Sequence, residues 1–89
     1  MSLPEEDIFQ FPCRFPIKAM GLASEDILGL FSEILKTYDA TPHPDDIVWR
    51  NSGQGKYVSV TATIHATSRE QLDNIYQALH KDDRIRYVL

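Results

Sequence analysis

Between Lys56 and Ala66 the apolar and polar positions alternate strictly. Val58, Val60, Ala62, Ile64 and Ala66 form one set; Tyr57, Ser59, Thr61, Thr63 and His65 form the other. A period of two in a stretch rich in β-branched residues predicts a half-buried strand, with one set on a core and the other facing water or a partner. Such a strand needs neighbours and a cover. Earlier in the chain, Phe15, Ile17 and Ala19 alternate with Lys18 and Met20, which predicts a first strand over about residues 15–20. Pro16 has no ladder donor and is expected at the start of pairing or on a bulge. Gly21 is expected to break this strand.

The period then changes. Ile27, Leu28, Phe31, Ile34, Leu35 and Tyr38 recur at the spacing of a helical stripe. Ser24 is the expected N-cap, with Glu25 and Asp26 favouring the positive end of the helix. Gly29 is a mild cost inside it and is expected to allow close approach to a strand. The helix must stop before Thr41-Pro42-His43-Pro44. A second strand is expected from Ile47 to Arg50 or Asn51, and residues 51–55 (Asn-Ser-Gly-Gln-Gly) have the turn chemistry of a hairpin into the long alternating strand. Thr67 with Glu70, or Ser68 with Gln71, can form a capping box for a second helix carrying Leu72, Ile75, Tyr76 and Leu79. Lys81, Asp82 and Asp83 make a turn. A last strand over residues 85–89 sets Arg84, Arg86 and Val88 opposite Ile85, Tyr87 and Leu89.

The order β-α-β-β-α-β predicts an α+β fold, a ferredoxin-like sandwich. Its four-stranded antiparallel sheet has the first and third strands central, the fourth and second flanking, and both helices on one face. Residues 1–10, with Pro4 and the run Glu5, Glu6, Asp7, are expected to be a tail that Ile8, Phe9 and Phe11 pin to the body. Residues 11–89 form a single domain.

Composition narrows the function classes. Hydrophobic content of 43% with 25% charged residues is that of a globular domain. The net charge of −4 argues against a general nucleic-acid binder. Cys13 is the only cysteine, so no internal disulfide can form. No apolar run approaches a membrane span, and the first residues lack the basic start and apolar middle of a signal peptide. A soluble, cytoplasmic protein is expected. His43, His65 and His80 lack metal spacing, Asp45-Asp46 and Asp82-Asp83 fall in turns, and Ser59 has no identifiable base. No metal, cofactor or enzymatic activity is expected.

Several stretches keep the spacing of a known family. They are Phe11-Pro12 with Phe15, Lys18-Ala19-Met20-Gly21, and Ser52 with Gly55 to Thr61. Ala66-Thr67, Glu70-Gln71, Tyr76 and Val88-Leu89 continue the series. The chain resembles the YbeD-like proteins, small bacterial proteins of unassigned function, over about residues 11–89. It departs in the turn, where Gly53 and Gln54 replace a frequent serine and lysine. The resemblance implies a ferredoxin-like fold similar to ACT regulatory domains, which bind amino acids or other small effectors, often at a dimer interface near the loop after the first strand. It also implies genes near those of lipoate-attachment enzymes. It implies no activity.

Two candidate surfaces follow. If Val58, Val60, Ala62 and Ile64 face the helices, then Tyr57, Ser59, Thr61, Thr63 and His65 face outward, and parity adds Lys18, Met20, Arg84, Arg86 and Val88. Hydroxyls, an imidazole and cations on one sheet face suit an acidic protein partner or an anionic ligand. The alternative is a solvated face, with threonines serving β-propensity and arginines keeping an edge soluble. The second candidate is the loop Gly21, Leu22, Ala23, Ser24, whose backbone N–H groups at a helix start could hold the carboxylate or phosphate of a small-molecule effector. Against RNA, the first and third strands offer only Tyr57 for base stacking. Trp49 on the flanking strand is expected to be a covered aromatic, and that edge could pair across a homodimer.

Overall fold

The computed structural model describes residues 10–89. The expected tail therefore lies outside the described residues except for Gln10, which is exposed. Strand β1 (Cys13–Leu22) leads to helix α1 (Ile27–Thr37). A short 3-10 turn (Pro44–Asp46) precedes β2 (Ile47–Ser52), and a second (Gly53–Gly55) links it to β3 (Tyr57–Ala66). Helix α2 (Arg69–Lys81) and β4 (Ile85–Val88) complete the order. All pairings are antiparallel and the sheet runs β2-β3-β1-β4, the ferredoxin-like arrangement.

The central pair sets the frame. Cys13 pairs with Ala66 and the register holds without a break to Leu22 opposite Tyr57. Ile17, Ala19, Val60, Ala62, Ile64 and Ala66 consequently share one face and are essentially inaccessible to water. Ile27, Phe31 and Leu35 of α1 and Leu72, Ile75 and Leu79 of α2 close over them. These are the stripes that the sequence periodicity marks.

Pro16 sits inside β1 opposite Thr63, not at its start. The Lys18 N–H donates to Leu89 O at 3.2 Å and the Leu89 N–H donates to Lys18 O at 2.8 Å. By the two-residue alternation of the ladder, Pro16 turns its nitrogen to the same side as Lys18, past the point where the fourth strand's pairing stops. Its missing donor therefore costs no ladder bond. The Phe11–Pro12 peptide bond is cis, and Phe11 packs against the core.

Three expectations are corrected around the first connection. Gly21 does not break β1, which continues through Leu22. A Cβ on Gly21 would lie 2.5 Å from Arg84 O and 2.5 Å from Ile27 Cδ1. Glycine is therefore needed for close approach, with the start of β4 on one side and α1 on the other. Ser24 is not the N-cap. Asp26 holds that position, its Oδ1 accepting from the Gly29 N–H at 3.0 Å. A Cβ on Gly29 would collide with that same carboxylate, so Gly29 makes room for the cap and not for a strand.

The far ends of the helices are tied together. Asp39 takes a left-handed φ of 57°. The Ala40 N–H then reaches Leu35 O at 2.8 Å and the Asp39 N–H reaches Lys36 O at 3.2 Å, the double closure of a Schellman motif. Ser68 caps α2 by accepting from the Gln71 N–H at 3.1 Å. Gln71 returns through Oε1 to the Thr67 N–H at 2.8 Å, and its amide donates to Tyr38 O at 2.9 Å and Asp39 O at 3.3 Å. One side chain thus serves the start of α2 and the end of α1.

The last strand departs most from simple alternation. Ala19 faces Val88 and Met20 faces Tyr87, but Gly21 faces Ile85. Arg86 is the extra residue of a bulge. The parity that would send Arg84, Arg86 and Val88 outward together is broken. Ile85 is buried, Val88 packs against the core, and Tyr87 turns to the open face beside Met20.

Two substitutions test this account. Gly21→Ala drives a methyl group into the Arg84 carbonyl and should lower stability by about 3 kcal/mol. Gln71→Ala strips partners from both helix ends and should cost about 1–3 kcal/mol. Both are read from urea midpoints at unchanged slope.

Candidate functional site

The sheet face away from the helices carries two rows of side chains. In one, Val48 (β2), Thr61 (β3) and Lys18 (β1) stand side by side, and Leu89 pairs with Lys18 through the backbone. In the next, Arg50, Ser59, Met20 and Tyr87 run across all four strands. Tyr57, Thr63 and His65 lie on the same face further along β3, as their alternation requires. Lys18, Val48, Arg50, Ser59 and Thr61, with Trp49, line a shallow depression, and Ser59 is buried there.

Exposed apolar area collects here. Val48 and Tyr87 are each 57% exposed and Leu89 is 60% exposed. Trp49 is 54% exposed, so the expectation of a covered aromatic is corrected. Its parity is that of Val60, towards the helices, but it sits on the outer strand beyond their full cover. With Ala23, Glu25, Asp26, Ile27 and Leu28 it lines a groove beside the start of α1.

The cations divide into paired and unpaired. Arg14, outward on β1, reaches Asp46 with a two-pronged contact of 3.0 and 3.3 Å. Hydrogen bonding from Arg14 holds the Asp46 carboxyl below its usual range. Arg84 lies before β4 and is held by Asp82, through Nε to Oδ1 at 3.0 Å and through a terminal nitrogen to Oδ2 at 2.8 Å. It does not join the open-face rows. Arg86 is exposed at the bulge. Lys18 and Arg50 have no ion pair among the described residues.

The loop candidate is less well furnished. Gly21 and Leu22 belong to the sheet, and the Ala23 N–H donates to Lys56 O at 2.9 Å. The helix start beyond Ser24 is occupied by the Asp26 carboxylate, with Glu25 beside it. An anionic effector there would meet two acidic side chains and few free donors. Among the described residues no three metal-ligand side chains converge, and no helix is long and apolar enough to cross a membrane.

With this geometry in hand, comparison with known proteins decides the kinship. Residues 6–89 match the sequence profile described as a protein of unknown function, DUF493. A UPF0250 protein of Janthinobacterium sp. (strain Marseille) is 42% identical over 86 residues, covering 97% of this chain and 94% of that one. A UPF0250 protein of Nitrosomonas europaea is 43% identical over 89 residues, covering 98% and 100%. The chain belongs to the DUF493 (UPF0250) family. These are the YbeD-like proteins that the sequence resembles. The solution structure of protein HP0495 from H. pylori superimposes with a TM-score of 0.70 at 15% identity, covering 100% of this chain and 97% of that one. At that identity the likeness speaks for the fold alone. DUF493 membership brings no activity with it.

Sequence reasoning missed Val48, Arg50, Tyr87 and Leu89 on the open face. For Val48 and Arg50 a signal was present, because a hairpin into β3 fixes their parity against Thr61 and Ser59. For Tyr87 and Leu89 the bulge removed it.

The Asp82–Arg84 pair has a pH signature. Hydrogen bonds from the Arg84 side chain and backbone N–H pull the Asp82 carboxyl down to about 2. A carboxyl lowered on folding contributes stability that is present above its unfolded value of about 3.9 and is lost as pH falls towards about 2. Asp82→Asn should therefore flatten the stability–pH curve, relative to the parent protein, in that window and leave its shape near neutrality unchanged. Urea midpoints at half-unit pH steps measure this.

Proposed function

We propose that this chain is a non-enzymatic regulatory or adaptor module that works through protein contacts on the open face of its sheet. The observation that carries the reading is the coincidence on that face of exposed apolar side chains with cations that lack partners. Val48 and Leu89 flank Lys18 in one row, and Arg50 and Tyr87 stand at the two edges of the next. A solvated face has no reason to gather its large apolar residues beside cations, whereas contact surfaces mix the two. Ser59 and His65 stand six residues apart along β3, so the described face does not bring this hydroxyl to that imidazole. The small-effector reading draws less support, because Asp26 and Glu25 stand where an effector carboxylate would bind. RNA recognition draws little, because β1 adds no outward aromatic to Tyr57 and His65 at the two ends of β3.

The test is an affinity capture from native lysate with the parent protein and a Lys18→Glu, Arg50→Glu variant of matched thermal stability. A partner held by the parent and released by the variant is the expected result. A partner set unchanged by the reversal would remove the open face from the account.

A further inference from the structure

The strands of this protein carry charge of one sign. The four strands hold Arg14, Lys18, Arg50 and Arg86 and contain no Asp or Glu. Every acidic residue between positions 10 and 89 lies on a helix, a cap or a connection. Asp46, the acidic residue that reaches towards the sheet, is taken by Arg14. The net charge of −4 therefore coexists with strands whose only charged side chains are basic, while each helix is balanced, Glu33 against Lys36 and Glu70 with Asp73 against Arg69 with Lys81.

The apolar groups have a definite spacing around that charge. Val48 and Leu89 lie in one row at opposite edges of the sheet, with Thr61 and Lys18 between them. Three inter-strand steps of about 4.8 Å set them about 14 Å apart. Arg50 and Tyr87 occupy the same two edges in the next row. The surface thus has an apolar group at each edge, with Lys18 between them and Arg50 next to Val48 on the β2 edge. It is also the sheet face that no helix of the described residues covers, so a helix laid across the strands would supply the second covering layer.

We infer that the partner of this face is an acidic amphipathic helix of another protein. This rests on the reading of the open face as a contact surface and adds the chemistry of what it contacts. The helix places apolar side chains over Val48 and over Leu89 and Tyr87. Its carboxylates meet Lys18 and Arg50, whose charges no described residue neutralises. Charge complementarity selects acidic over basic helices, and the apolar groups at the two edges select amphipathic segments over purely acidic ones. The weak overall charge of residues 10–89, nine basic against ten acidic, provides no long-range attraction for polyanions such as RNA.

The test uses synthetic helical peptides of about 18 residues and the full chain. One peptide carries a leucine stripe flanked by glutamates, a second replaces the glutamates by lysines, and a third keeps the glutamates but replaces the leucines by alanines. Titration by isotope-edited NMR should show the first peptide binding, with shifts at Val48, Lys18, Arg50 and Leu89. The Lys18→Glu, Arg50→Glu protein should bind it at least about tenfold more weakly and should gain affinity for the lysine-flanked peptide. Affinity for the first peptide should fall as ionic strength rises from about 50 to about 500 mM. Absence of binding by the first peptide would overturn the inference. So would equal binding of the alanine version, or tighter binding of a single-stranded oligoribonucleotide or of phosphatidylglycerol vesicles. If the lysate capture yields a partner that the reversal releases while the first peptide fails, the contact surface stands and the acidic-helix chemistry falls.

Discussion

The unbroken ladder between β1 and β3 is the constraint on which the rest of this protein depends. Its register decides which side chains the helices can bury and which are left on the open face. A slip of one residue would exchange Ile17, Ala19, Val60, Ala62 and Ile64 for Lys18, Met20, Ser59, Thr61 and Thr63. Apolar burial at about 25 cal/mol per Å² penalises that exchange strongly, so the register and the identity of the outward face are fixed by one balance. The surface we assign to partners is the complement of the core.

Around that ladder the chain spends its special residues on closure. Gly21 admits the backbone at the start of β4, and Gly29 admits the carboxylate that caps α1. Gln71 joins the start of α2 to the end of α1, and Asp39 accepts a left-handed conformation so that α1 can stop. Pro16 lies where its missing N–H meets no strand. These devices act at the ends and edges of elements, where backbone donors and acceptors would otherwise go unsatisfied.

The same closure shapes the candidate surface. The bulge at Arg86 lets both Ile85 and Val88 reach the core and turns Tyr87 outward beside Met20. Asp82 and Asp46 take Arg84 and Arg14, which leaves Lys18 and Arg50 as the cations available in the open-face rows. Charge on the face is therefore set as much by which cations are occupied as by which are present.

The sequence by itself determined the periodicities. Alternation in β3 and the 3.6-residue stripes of both helices follow from local geometry, and the order of elements with two crossovers and a hairpin admits the ferredoxin-like sheet. The outward positions Tyr57, Ser59, Thr61, Thr63, His65, Lys18 and Met20 were legible for that reason. The Ser68–Gln71 cap was legible too, as one of two alternatives. What the tertiary structure decided depends on atoms distant in sequence. Whether Gly21 ends a strand or admits another depends on Arg84, and whether Ser24 or Asp26 caps α1 depends on where β1 lets go. The exposure of Trp49 depends on how far two helices reach across a sheet edge. The outward turn of Tyr87 depends on one extra residue in β4, because alternation carries no mark of a bulge until the partner strand is in place.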